Sequence, residues 1–352
     1  MQKADLTKTS TILDGLDTAV FVIDDNRRIL IANGAAVKLF GEDLVGENFV
    51  HAVRHPDCLN AVERVLAGER TSEIEISLQN PVKTLFRVKT VALPQSGEGE
   101  PAAVISFDNI SHIFEAEQMR SDFVANVSHE LRSPLTALSG FIETLQGPAK
   151  DDAAARVRFL ETMAQEAQRM NRLIGDLLSL SKVEVEAHVR PLALVDISSV
   201  IEQVVTVLAP LVEREGKTIR FVQPEQTIDP VNGDEDQLAQ VFQNLMENAL
   251  KYGLADTEVI ITLTEVKRLD ASSERLLAVD IQDHGAGIPA EHIPRLTERF
   301  YRVDRGRSRD KGGTGLGLAI VKHILNRHHG RLQIKSELGV GSIFTAILPI
   351  SN

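Results

Sequence analysis

His129 stands in the run Ser128-His129-Glu130-Leu131-Arg132-Ser133-Pro134-Leu135. The apolar residues Val127 and Leu131 flank it four apart, the spacing of one helical face. At about 100° per residue, position 129 points nearly away from that face. The imidazole is therefore predicted to be exposed on a rigid helix, where a reagent can reach it. Glu130 beside it can hold one tautomer and take its proton, leaving the other nitrogen nucleophilic. A surface histidine without a role has the same local signature, and the chain has 10 histidines to choose from. Pro134, inside an otherwise helical pattern, costs roughly 3 kcal/mol and predicts a bend.

A second group lies further on. Asn244, Asn248 and Lys251 fall at i, i+4 and i+7 beside an apolar stripe of Leu238, Val241, Phe242, Leu245 and Ala249. Such a polar row is usually just solvated. Two amides and an ammonium in line also suit a Mg²⁺-phosphate group, because Mg²⁺ takes oxygen ligands and keeps water. Asp283-His284-Gly285-Ala286-Gly287-Ile288-Pro289 follows a strand in which Leu277, Val279 and Ile281 alternate inward, so Asp283 points inward too. An inward carboxylate needs a donor; an adenine amino group qualifies, and so does a purely structural turn. Gly312-Gly313-Thr314-Gly315-Leu316-Gly317-Leu318 opens a helix, where glycines let backbone N–H groups approach phosphates. It is not a Walker loop, since no Lys-Ser/Thr follows the glycines. The segment from Arg299 to Lys311 is rich in Arg and Gly and reads as a lid over a triphosphate, with Arg302 facing the γ-phosphate.

The elements that must position these residues follow from patterning. Short apolar runs and turns over residues 10–110 predict a mixed domain with a mainly antiparallel sheet: strands Ala19–Ile23, Arg28–Ala32, Glu73–Leu78, Thr84–Leu93 and Ala102–Phe107, with a helix over Asn60–Ala67. Ser96 to Pro101 reads as an exposed hairpin loop. From 112 to 146, Phe123, Val127, Leu131, Leu135, Leu138, Ile142 and Leu145 form a helical seam. Gln146-Gly147-Pro148 ends that helix. A second seam, Val157, Leu160, Ala164, Ala167, Met170, Ile174, Leu177 and Leu178, runs along a helix over Ala153–Lys182. One antiparallel hairpin has too small a core to stand alone, so pairing into a four-helix bundle is expected. From about residue 190, helices over Ile197–Arg214, Asp234–Tyr252 and Leu316–Arg327 alternate with five strands, which predicts an α/β sandwich.

Bulk properties narrow the possibilities. At 352 residues the chain exceeds one ordinary core. A net charge of -12 argues against broad non-specific nucleic-acid binding. Cys58 is the sole cysteine, so no intramolecular disulfide forms, which suits a reducing cytosol. The first residues lack the apolar core of a signal peptide, and the most apolar stretch, Leu192 to Val212, is interrupted by Asp196, Glu202 and Gln203. A cytoplasmic protein, or the cytoplasmic portion of an inner-membrane sensor, is the expectation.

Taken together in this order and spacing, the motifs resemble those of sensor histidine kinases of two-component systems. His129 to Thr136 resembles the H-box, Asn244 to Tyr252 the N-box, Asp283 to Pro289 the first glycine box, Arg299 to Arg302 the F-box, and Gly313 to Leu318 the second glycine box. The resemblance covers about residues 115–350. Residues 10–110 resemble a PAS sensor domain more loosely, with Asp108-Asn109-Ile110-Ser111 at the exit. Within the family, Val53-Arg54-His55-Pro56 and Gly140 to Gly147 are similar to phosphate-regulon sensor kinases of the PhoR type.

The resemblance implies a multidomain α+β chain: a PAS-like α/β domain over 10–111, a signalling helix with a dimerisation and histidine phosphotransfer hairpin over 112–184, and an ATP-binding α/β sandwich of the GHKL (Bergerat) type over 190–352. It implies ATP and Mg²⁺ as ligands, and a homodimer that passes a phosphoryl group to an aspartate of a response-regulator receiver domain, of PhoB type. By the same resemblance His129 is the phospho-acceptor and Glu130 its base, and Asn244 binds Mg²⁺. Asn248, Lys251 and Tyr252 contact ATP phosphate and adenosine. Asp283 reads adenine within the loop of Gly285 and Gly287. Arg302 and the backbone of Gly313, Thr314, Gly315, Leu316 and Gly317 hold the triphosphate. Ser133 stands where the family often has Thr or Asn, a position linked to phosphatase activity; its hydroxyl can still orient a water. Two other readings stay open at this point: another ATPase of the same nucleotide fold, and a scaffold that only binds partners.

Overall fold

A computed structural model describes residues 3–79, 83–94, 100–186, 189–224, 228–267, 275–303 and 313–351. The chain divides into two compact units, residues 1–125 and 126–352.

The first unit holds helices α1 (Lys3–Leu13), α2 (Gly34–Phe40), α3 (Phe49–Ala52) and α4 (Pro56–Leu66) and strands β1 (Ala19–Ile23), β2 (Ile29–Ala32), β3 (Thr71–Gln79), β4 (Lys83–Ala92) and β5 (Ala103–Asn109). The strands form one antiparallel sheet in the order β2-β1-β5-β4-β3. Its core is aromatic: Phe21 meets Phe49 edge-on at 5.4 Å and Phe107 at 5.9 Å, a geometry that ring quadrupoles favour. Cys58 is buried in this core, and burial pushes its thiol up to about 12. Helices α1, α2 and α3 lie outside the predicted pattern. Helix α4 starts four residues earlier than its apolar period suggested, because Pro56 suits a first helical turn. The predicted hairpin loop at 96–101 falls largely outside the described residues.

Helix α5 (Ser111–Gln146) runs through Pro134 without interruption, and α6 (Ala153–Val185) returns after the Gly147–Asp152 turn, capped by the Asp152 carboxylate on Ala155 N–H. The seams are only partly covered. Leu135, Ile142, Val157, Leu160, Ile174 and Leu178 are exposed, whereas the buried apolar residues of α6 include Leu173, Leu180 and Val183, which lie outside the predicted stripe. Helix α6 also packs along a neighbour the period alone does not reveal, the helix that follows the glycine-rich segment.

The rest of the second unit contains β6 (Leu194–Val195), α7 (Ile197–Glu215), β7 (Thr218–Val222), β8 (Val231–Asn232), α8 (Glu235–Tyr252), β9 (Glu258–Lys267), β10 (Arg275–Asp283), α9 (Gly317–Arg327), β11 (Arg331–Glu337) and β12 (Gly341–Pro349). The main sheet is ordered β11-β12-β10-β9-β7, with β7–β9 parallel and the other pairs antiparallel, and β6 pairs with β8. Helices α7, α8 and α9 bury apolar faces led by Val204, Leu208, Phe242, Leu245, Ile320 and Ile324. This is the α/β sandwich expected, flanked by α6 along α9. Among the described residues no helix is long and apolar enough to cross a membrane.

Candidate active site

Helix α8 begins at an Asp234 cap, whose carboxylate accepts the Gln237 N–H at 3.2 Å. The cap fixes the rotation of the helix. Leu238, Val241, Phe242, Leu245 and Ala249 enter the core, and the adjoining row of Asn244, Asn248, Lys251 and Tyr252 faces a cavity of about 640 Å³. Strand β10 alternates as predicted. Leu277, Val279 and Ile281 are fully buried and Asp283 is 5% exposed, with its carboxylate at the same cavity. Gly285 and Gly287 line it as well. Both positions are sterically closed to a side chain: a Cβ at Gly285 would sit 2.6 Å from Tyr252 O, and Gly287 has φ +72°.

The glycine-rich segment completes the wall with Gly313, Thr314, Gly315 and Gly317. Gly315 adopts φ +75°, and a Cβ there would come within 2.9 Å of Phe300 Cα. The close approach exists because Phe300 N–H donates to Gly315 O at 2.8 Å, pinning the Arg299–Arg302 segment on this loop. Leu316 enters the expectation through its backbone alone. Its side chain is fully buried in the core and does not line the cavity; its backbone N–H bonds Thr314 Oγ1 at 3.3 Å. A leucine flanked by glycines finds its favourable burial inward. The lid predicted over Arg299–Lys311 falls outside the described residues from 304 onward, and so does Gly312.

Asn244 carries the clearest sign of a ligand. Its Nδ2 is buried with no hydrogen-bond partner among the described residues, and Oδ1 lies 3.1 Å from where a Cβ at Gly317 would stand. A buried amide with an unused donor costs about 1–3 kcal/mol, which a polar ligand would offset. The chemistry of the lining fits a metal-bound triphosphate: amide oxygens for a hard cation, Lys251 and Arg302 for anionic oxygens, and backbone N–H groups at the start of α9.

Several cavity residues were not among the candidates named from the sequence, although Glu247 and Tyr301 lie inside two of the motifs. Arg172, Gly175 and Asp176 come from α6, Gln240, Gln243 and Glu247 from α8, and Tyr301, Leu296 and Phe344 from elsewhere in the sandwich. Tyr301 is held by its hydroxyl, 2.7 Å from His292 Nδ1, and by the Arg295 guanidinium 4.2 Å from its ring centroid. Asp176 accepts a hydrogen bond from Thr314 Oγ1 at 2.6 Å. Burial pushes its carboxyl above the usual range, with Glu247 adding to the rise and Thr314, Lys251 and Arg172 opposing it. For Glu247 burial acts in the same direction but is outweighed. Lys251 at 2.6 Å and the Gln243 amide at 3.0 Å hold it below the ordinary carboxylate range. Burial also raises Asp283, against the N–H groups of Gly285 and Ser342 and the charges of His284 and Lys217.

His129 is exposed on α5, as its position in the helical period requires, and Ser133 is exposed one turn on. Glu130 is half-buried and engaged elsewhere. Its Oε2 accepts from Arg169 Nη2 at 2.7 Å and lies 3.6 Å from Arg302 Nη2. Arg302 thus faces two ways, with its guanidinium lining the cavity, donating to Gly313 O, and reaching the residue next to His129.

Comparison with known proteins agrees with this geometry. Residues 233–352 match the family described as histidine kinase-, DNA gyrase B-, and HSP90-like ATPase. Residues 119–186 match the His Kinase A (phospho-acceptor) domain, and residues 7–93 the PAS fold. The chain is 40% identical over 336 residues to the phosphate regulon sensor protein PhoR of Pseudomonas aeruginosa, an alignment covering 94% of this chain and 71% of that protein. It is 31% identical over 347 residues to the sensor protein kinase WalK of Staphylococcus aureus strain Newman, covering 97% of this chain and 55% of that one. Its fold is similar to the crystal structure of histidine kinase ThkA in complex with response regulator protein TrrA, with a TM-score of 0.51 and 19% identity over 97% of this chain and 98% of that chain.

Proposed function

The chain belongs to the sensor histidine kinases, ATP-dependent enzymes that phosphorylate their own histidine and signal to a response regulator, and on that premise we propose which of its residues do the work. His129 is the phospho-acceptor. Glu130 accepts its proton and orients the ring. Asn244 holds Mg²⁺. Asn248, Lys251 and Tyr252 bind phosphate and adenosine, Asp283 selects adenine beside Gly285 and Gly287, and Arg302 with the backbone of Gly313–Gly317 steadies the triphosphate. The domains run over 10–111, 112–184 and 190–352.

The observation that carries this reading is Arg302. One side chain, 8% exposed, lines the cavity and also reaches Glu130, the neighbour of His129. The triphosphate end of the cavity therefore lies toward the acceptor helix. Transfer of a phosphoryl group depends mainly on positioning and charge neutralisation. A bound Mg²⁺ supplies neutralisation of the triphosphate oxygens. The protein's own part is to keep Asn244 and Lys251 fixed on α8, to present the Arg302 guanidinium, and to free Glu130 from Arg169 so that it can take the imidazole proton. The phosphoryl group then passes to a receiver-domain aspartate, of PhoB type in a phosphate-responsive pathway. Ser133 orients a water that hydrolyses the receiver-domain aspartyl phosphate, releasing inorganic phosphate, in the phosphatase reaction. The protein is a homodimer through the exposed seams of α5 and α6, and it works on the cytoplasmic side of the inner membrane or in the cytoplasm.

The test is His129→Ala incubated with γ-labelled ATP. The variant is expected to bind ATP nearly as well as the parent while losing all acid-labile label. Acid-labile label at the parental level in the variant would remove His129 from the acceptor role.

A further inference from the structure

Lys217 lies outside the cavity, yet it is the lysine most withdrawn from solvent among the described residues, at 8% exposure. A buried ammonium is costly unless its charge is compensated. Its position is set by Gly216, which ends α7 in the left-handed region at φ 61° and turns the chain, so that Lys217 N–H bonds Val212 O at 3.1 Å. The side chain then reaches the C-terminal end of α8. There Nζ donates to Leu250 O and, at 2.9 Å, to Gly253 O. A cation at a helix C-terminus is favoured by the unpaired carbonyls and the helix dipole.

That end of α8 is joined to the adenine-facing loop. Gly253 pairs with Gly285 across an isolated bridge, Leu254 N–H donates to His284 O at 3.1 Å, and Gly285 N–H donates to Asp283 Oδ1 at 2.8 Å. The ammonium, the helix end and the carboxylate form one connected cluster. The joint has no slack: a Cβ on Gly253 would lie 3.4 Å from Lys217 Nζ and 2.9 Å from Ala249 O.

We propose that Lys217 is a positioning residue for base selection: it locks the C-terminal end of α8 against the Asp283 loop and supplies the counter-charge that keeps the Asp283 carboxylate an acceptor toward the cavity. The inference rests on the adenine reading of Asp283 given above. The charged groups acting on Asp283 are Lys217 from the α7–β7 turn and His284 from its own loop, and both favour the ionised carboxylate against burial. An ionised acceptor attracts the 6-amino group of adenine and repels the 6-oxo group of hypoxanthine. Selection of ATP over ITP therefore reports the state of Asp283, whereas a purely structural role for Lys217 would weaken both nucleotides alike.

The experiment is calorimetric binding of ATP and of ITP, with Mg²⁺, to the full chain across pH. It is done in a His284→Asn background, so that Lys217 is the remaining charge of the two acting on Asp283. Lys217→Gln keeps donors for Leu250 O and Gly253 O but removes the charge; Lys217→Arg keeps the charge. In Lys217→Gln the ATP-to-ITP preference is expected to fall about tenfold, the scale of one hydrogen bond to a charged group, and to collapse at a higher pH than in the parent. Lys217→Arg should retain the parental preference and pH limb. Equal loss of both nucleotides in Lys217→Gln, or an unmoved limb, overturns the proposal. Asp283→Asn separates the two levels. If that variant still prefers ATP as the parent does, the adenine reading itself fails. If it loses the preference while Lys217→Gln keeps it, only the role of Lys217 fails. Should Lys217→Gln not fold, the parent protein answers: the Asp283 carboxyl carbon signal must shift as Lys217 loses its proton at alkaline pH, and its absence overturns the coupling.

Discussion

Glu130 and Arg169 face each other across the α5–α6 hairpin, carboxylate oxygen to guanidinium nitrogen at 2.7 Å. The residue assigned as proton acceptor for His129 is thus held by a cation on the opposite helix, with Arg302 at 3.6 Å as a second. On the proposed role, the carboxylate oxygen held by Arg169 must be released before it can serve His129.

Two variants of opposite sign follow. Positioned proton transfer contributes about 10²-fold or more, so Glu130→Gln should cut the initial rate of autophosphorylation by about that factor while ATP affinity stays within about twofold. Arg169→Met releases the carboxylate. A partly exposed ion pair stabilises by about 1 kcal/mol, so the initial rate should rise about fivefold. Single-turnover labelling at saturating ATP measures both. A rate that drops in Arg169→Met would assign Arg169 to phosphate binding instead.

Asn244 and Gly315 test the cavity from opposite walls. Asn244→Asp puts a carboxylate where the neutral amide faces a triphosphate. The added repulsion should weaken Mg²⁺-ATP binding about tenfold or more and leave the melting temperature nearly unchanged, as followed by calorimetry and circular dichroism. Gly315→Ala acts through the backbone. With φ +75° and Phe300 Cα 2.9 Å from the new methyl, strain of about 1–3 kcal/mol is expected, with loss of both stability and nucleotide affinity. If Gly315→Ala melts like the parent, the close packing of Phe300 on this loop does not persist in solution.

The exposed seam makes a third prediction. Leu135 is 56% and Leu160 is 52% exposed on facing helices, and burying one such side chain contributes about 1.5–3 kcal/mol. Four or more per chain suffice to hold a dimer at micromolar concentration. Light scattering should give twice the chain mass for the parent, and the Leu135→Glu, Leu160→Glu double variant should give a monomer. A parent that scatters as a monomer would leave the seam unexplained.

Much of this site was legible because its chemistry is local. Period alone placed His129 on an exposed face, aligned Asn244 with Asn248 and Lys251, and turned Asp283 inward after Leu277, Val279 and Ile281. Each of those statements needs one helix or one strand. What escaped needs two. Arg172 and Asp176 sit on a helix whose apolar seam was assigned to the hairpin and its four-helix bundle, so their approach to the cavity from α6 had no signal. Leu173 and Leu180 were missed because they lie off that seam, on a helix that also packs along α9. Nothing in Gly216-Lys217 announces a buried ammonium, because the carbonyls that stabilise it belong to Leu250 and Gly253, more than thirty residues on.

His328 gives the fold a pH dependence. It is fully buried at the end of α9, where Nδ1–H donates to Ile324 O at 2.8 Å and Nε2 accepts the Asp234 N–H at 3.0 Å. That second bond anchors the start of α8, and it needs an unprotonated Nε2. Burial lowers the imidazole pKa, helped by the charges of Arg327 and Arg190 and opposed by the bond to Ile324 and by Asp234. Because the folded value is depressed, the unfolded chain binds more protons at mildly acidic pH. The stabilisation is present in full above the unfolded value near 6.5 and is lost as pH falls through the folded value. His323 is shifted the same way, chiefly by burial, and adds to the trend. Thermal melting of the parent should therefore decline from pH 7.5 toward acid. His328→Gln cannot titrate; it should be less stable at pH 7.5, and its melting temperature should change less with pH, so the two curves converge as the pH drops. Parallel curves would mean that His328 keeps its proton state on unfolding, and that the cap of α8 does not depend on it.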